Sequence, residues 1–126
     1  MKDQRDYFVE KLKLSSAVDN IDVTLTYTRN DGWNALYIKA KLVNDTYLHI
    51  ESIKVGNEFK EYFKWSTHHR MIRRGHKYEI IGWDNQYGEE FPETMPHIHY
   101  NENEKIKYIE RKTTLDDVLK VIEDRI

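Results

Sequence analysis

The sequence predicts an α+β fold: an antiparallel sheet of about six strands, with an N-terminal helix and a C-terminal helix packed on one face. Three observations carry that prediction. Apolar and polar residues alternate through most of the middle of the chain, the alternating runs are joined by short turn-forming clusters, and helical spacing is confined to the two ends.

The opening segment from Lys2 to Leu14 sets Phe8 and Leu12 four apart, as on one side of a helix, although its "KLKL" also alternates like a strand. The period then changes. In "IDVTLTYT", alternation places Ile21, Val23, Leu25 and Tyr27 on one side and Asp22, Thr24, Thr26 and Thr28 on the other, a half-buried strand. The "NDG" from Asn30 to Gly32 has hairpin chemistry and leads into "ALYIKAKLV", where Leu36, Ile38, Ala40 and Leu42 face inward. Asn44 and Asp45 turn the chain into "TYLHIESI", with Leu48 and Ile50 on one face and Tyr47, His49 and Glu51 on the other.

A fourth strand, "FKEYFKWS", carries Phe59, Phe63 and Trp65 at even spacing, and a fifth, "HKYEIIGWDN", is interrupted by Gly82. A strand glycine marks a bulge or a place where another group approaches the backbone closely, and alternation puts Gly82 on the same face as Asp84. The sixth strand is "KIKYIERK". The chain closes with "TTLDDVLKVIEDRI", in which a Thr three residues before an Asp has capping-box spacing and Leu115, Val118, Leu119, Ile122 and Ile126 form one helical stripe.

At 126 residues the chain is read as one domain, residues 1–126, with one core. That core is lean, because only 39% of residues are apolar while 33% are charged, so the nine Tyr and three Trp must supply much of its bulk. The absence of Cys excludes disulfides, thiolate metal sites and a Cys nucleophile. No apolar run approaches the ~20 residues that span a bilayer, and the first residues lack a signal-peptide core, so a cytoplasmic protein is expected. The net charge of −2 is unevenly distributed: Tyr62 to Lys77 holds five basic residues and no acid. Such a stripe, with interleaved aromatics and histidines, suits attraction to RNA phosphates, and makes Lys64, Arg70, Arg73, Arg74 and Lys77 candidates for substrate binding.

The chemistry-bearing stretch is "GWDNQYGEEFPETMPHIHY", from Gly82 to Tyr100. Where the chain is extended, His97 and His99 project to one side, and Pro92 and Pro96 restrict the backbone around them. Two imidazoles so placed suit the proton transfers of RNA transesterification, from a ribose 2′-hydroxyl and to a leaving 5′-oxygen, with no cofactor. The same histidines with Asp84 or Glu51 would also make a divalent-metal set, the competing use of those atoms, although the helical zinc-enzyme spacings are absent. The third use is structural, with the imidazoles bonded to backbone carbonyls.

Taken in order, Glu51 in "LHIES", Phe63 and Trp65 in "YFKW", Trp83, Asp84 and Asn85 in "GWDN", and Pro96, His97 and His99 in "MPHIH" resemble the pattern of the TumE-type toxins of prokaryotic toxin–antitoxin pairs. The resemblance covers roughly Ala35 to the C-terminus. It implies a toxin neutralised by an antitoxin protein, and it adds Asn85 and Glu51 to Asp84, His97 and His99 as candidate catalytic positions. Two departures stand out: Gly82 occupies a position where the pattern usually has Arg, and "QYGEE" replaces a histidine-bearing segment. RNA cleavage is the activity expected, with a non-catalytic RNA- or protein-binding module and a metal-dependent hydrolase as alternatives. Exposed edge strands leave room for a homodimer.

Overall fold

The computed structural model describes residues 2–29, 32–55, 58–71, 78–87, 96–100, 105–109 and 111–126. In chain order they form helix α1 (Lys2–Leu14), strands β1 (Val18–Thr28), β2 (Trp33–Leu42), β3 (Tyr47–Val55), β4 (Glu58–Ser66), β5 (Glu79–Tyr87), β6 (His97–Tyr100) and β7 (Lys105–Tyr108), and helix α2 (Leu115–Arg125). The strands make one antiparallel sheet whose spatial order is the chain order, β1 to β7. The count exceeds the sequence expectation by one, because the four residues His97–Tyr100 pair with both β5 and β7.

Both helices lie against one face. Phe8 and Leu12 of α1 and Leu115, Val118, Leu119 and Ile122 of α2 are buried with Leu36, Ile38, Leu48, Ile50, Phe63, Trp65, Ile81 and Trp83 from the sheet. Phe8 meets Phe63 edge-on at 6.0 Å, and the Gln4 amide donates to Ser52 Oγ at 3.0 Å and Glu61 Oε2 at 3.1 Å. The α2 start is the predicted capping box: Thr114 Oγ1 accepts from the Asp117 N–H, and the Asp117 carboxylate accepts from the Thr114 N–H. Ile126, expected on the buried stripe, is instead 43% exposed at the helix end.

The first strand departs from its simple alternation. Its register with β2 slips between Val18 and Asn20 and again between Ile21 and Val23. Each slip sets two residues against one and reverses which face the following side chains occupy. Ile21 therefore pairs with Ala40 on the helix side, while Val23, Leu25 and Tyr27 pair with Lys39, Tyr37 and Ala35 on the opposite face. Leu25 and Tyr27 are 60% and 58% exposed there, so the expectation of one apolar face for Ile21, Val23, Leu25 and Tyr27 is corrected. The β1–β2 connection is closed by Arg29 N–H donating to the Trp33 carbonyl at 2.8 Å, and Gly32 has φ +83°. Asn30 and Asp31 of the "NDG" lie outside the described residues.

Candidate active site

Residues directly opposite in antiparallel strands project to the same face. Asp84 is opposite His97 and Gly82 opposite His99, so all four lie on the face that the helices leave open. Pro96, which cannot donate a ladder hydrogen bond, stands just before β6, and its carbonyl accepts from the Ile109 N–H at 2.8 Å. His97 Nε2 is 3.6 Å from Asp84 Oδ2, and the two imidazole centroids are 4.6 Å apart with planes at 75°. One ligating atom each from Asp84, His97 and His99 can be chosen so that all lie within 4.8 Å of one another. These three side chains could hold a divalent cation.

Beside them opens a cavity of about 330 Å³, bordered by Asp84 and His99, by Lys60, Tyr62 and Lys64 of β4, and by Glu51 of β3. Alternation along β4 explains the lining: Lys60, Tyr62 and Lys64 pair with Ile53, Glu51 and His49 on this face, while Glu61, Phe63 and Trp65 face the helices. Lys64 Nζ lies 3.5 Å from Glu79 Oε2. The Glu79 carboxylate occupies the space that a Cβ at position 82 would need, so Gly82 does mark a close approach, and the approaching group is Glu79. An extra residue, Ile80, sits at the register slip between Trp65 and Ser66 on the other strand.

Burial sets the electrostatics. It raises the Asp84 pKa, and His97, then Lys60 and Lys64, pull it back. Asp84 Oδ1 is buried and has no hydrogen-bond partner among the described residues. Beyond Lys64, His49 is fully buried and its pKa is lowered, first by burial, against the opposing hydrogen bond to the His68 carbonyl. His49 Nε2–H donates to that carbonyl at 3.0 Å, which leaves Nδ1 to accept from the Tyr37 hydroxyl at 2.8 Å. The bond ties the chain after β4 down onto the open face, and Met71 at its end lines the cavity.

Of the sequence candidates, Asp84, His97 and His99 are brought together, and Glu51 and Lys64 share the adjoining cavity. Arg70 is exposed and borders a small recess with Lys64 and Glu79. Arg73, Arg74 and Lys77 lie outside the described residues, as does Pro92. Asn85 is not in the cavity. It is fully buried on the helix side, where its amide donates to the Thr113 carbonyl at 2.8 Å and accepts from the Thr113 N–H at 3.1 Å. Sequence reasoning missed Lys60, Tyr62 and Glu79; even spacing with Lys64 in "KEYFK" pointed to the first two, whereas nothing local ties Glu79 to Gly82.

A family model described as Toxin TumE matches residues 7–126. The chain belongs to the TumE toxin family. The match runs through most of α1, the whole sheet and α2, a longer stretch than the motifs alone cover. No curated protein and no solved structure matches the chain. Membership makes it a toxin component and implies an antitoxin partner. Among the described residues, no helix of the toxin is long and apolar enough to cross a membrane.

Proposed function

We propose that the toxin cleaves RNA in the cytoplasm by transesterification in the cavity beside Asp84 and His99. The observation that supports this reading is the pair of imidazoles 4.6 Å apart, with a carboxylate 3.6 Å from one of them and two lysines along the adjoining wall. His99, which lines the cavity, takes the proton from the ribose 2′-hydroxyl as that oxygen attacks phosphorus. His97, beside Asp84, delivers the proton that goes to the 5′-oxygen as the P–O bond breaks. Asp84 is then a positioning residue. Lys60 and Lys64 stabilise charge on the phosphate oxygens, and Arg70 adds to the attraction of the strand. Glu51 lines the wall without a proton-transfer role. An antitoxin seated over this open face would exclude RNA.

The test is incubation of purified toxin with structured and unstructured RNA in EDTA. Cleavage that survives EDTA and disappears in His97→Ala and His99→Ala supports the reading. Binding without cleavage would replace it with a non-catalytic module. Cleavage that needs added metal would replace it with a metal-dependent hydrolase.

A further inference from the structure

We infer that Asp84, His97 and His99 form a binding site for a divalent transition-metal ion of the zinc type, and that filling it switches the RNA-cleaving chemistry off. The inhibitory half rests on the acid/base reading above; the binding half stands on geometry alone.

The donor set selects the kind of ion. Two imidazole nitrogens and one carboxylate oxygen match ions that favour nitrogen ligands, whereas magnesium and calcium favour all-oxygen shells. Three protein ligands leave a position for water, the arrangement of open zinc sites. Ligand atoms around tetrahedral zinc stand about 3.4 Å apart, given bonds of about 2.0–2.1 Å. The three ligating atoms here already lie within 4.8 Å of one another, with Asp84 directly opposite His97 and His99 two residues along on the same face.

The carboxylate is also underused. Its Oδ2 stands 3.6 Å from His97 Nε2, beyond ordinary hydrogen-bond length, and its buried Oδ1 accepts no hydrogen bond among the described residues. A half-buried carboxylate with one inaccessible, unbonded oxygen gains from a cation bridging it to the imidazoles. The surrounding charge permits one, because the carboxylates of Glu51, Glu79 and Asp84 outnumber the ammonium groups of Lys60 and Lys64 along the cavity. Coordination uses the imidazole lone pairs. A histidine so bound can neither accept a proton from the ribose nor deliver one, so the metal and the acid/base reaction compete for the same nitrogens.

The test begins with chelator-treated toxin carrying His69→Ala, which breaks the stacked surface pair of His68 and His69 that would otherwise offer a second histidine site. Titration with Co²⁺, followed by its visible absorption, and with Zn²⁺ by calorimetry should give one ion per chain. Asp84→Asn, His97→Ala and His99→Ala should each weaken binding by about tenfold or more, with circular dichroism showing that each variant stays folded. No binding, or binding indifferent to all three substitutions, overturns the site. In a parallel assay, Zn²⁺ should suppress RNA cleavage over the concentration range in which it binds. If the metal-free toxin cleaves no RNA, the acid/base reading and the inhibitory half fall together, and the titrations still judge the site. If cleavage appears only with metal, the inhibitory half is overturned and the titrations of the three variants alone judge the site.

Discussion

Asp84 and Asn85 are neighbours in β5 and project to opposite faces of the sheet: the carboxylate reaches the open cavity beside His97, while the amide is sealed against Thr113. One peptide bond separates a carboxylate on the open face from an amide bonded into the helix side. Their substitutions should therefore fail in different ways.

Asn85→Ala removes two hydrogen bonds and leaves the Thr113 N–H and carbonyl buried without that partner, just ahead of the α2 cap. The expected loss is roughly 2–4 kcal/mol of stability, from two buried bonds. Urea denaturation should show it, and RNA cleavage per folded molecule should be unchanged.

His97→Ala and His99→Ala should lower RNA cleavage by about 10²–10⁴-fold, the usual contribution of a positioned acid or base. Growth arrest on expression should disappear with it, while circular dichroism remains native-like. A double variant that is folded and still arrests growth would sink the assignment.

Gly82→Ala places a methyl group against the Glu79 carboxylate, which must swing aside and loosen its pair with Lys64. The expected cost is about 1 kcal/mol or less, because the group that must move is the end of a flexible side chain and its loss is the Lys64 pairing. In a Glu79→Ala background the same substitution should cost close to nothing. A double-mutant cycle measures that coupling directly.

Acidification should release the chain after β4. Burial lowers the His49 pKa below its ordinary value of 6.5, so its contribution to stability is present above that value and is lost as pH falls through the lower folded value. Burial raises the Glu61 and Asp84 carboxyls, whose contributions run the other way, fading as pH rises through their folded values. Hydrogen exchange at residues 67–71, compared between the native chain and His49→Phe, isolates the histidine. The native chain should gain exchange on acidification, beyond the intrinsic pH effect, and the variant should lack that gain.

The hairpin order, the helix-side residues of β2 and β3, Phe63 and Trp65 of β4, the α2 capping box and the shared side of His97 and His99 were all legible in the chain. Each depends on residues a few positions apart, and local periodicity and turn chemistry act over that distance. The reading failed where parity was broken or distance was long. Two slips in β1 turned Val23, Leu25 and Tyr27 away from the helices, and a pattern of alternating residues contains no mark of where an extra one is inserted.

By itself, then, the sequence determined both helices, every strand but the short β6, their order, and the supply of two imidazoles and an acid. Only the tertiary structure decided that Asp84 would meet His97, that Asn85 would serve Thr113 and that Glu79 would fill the space above Gly82. The physical reason is that register across strands is set by loops and by core packing on the far face, so the partner of a side chain depends on residues remote from both.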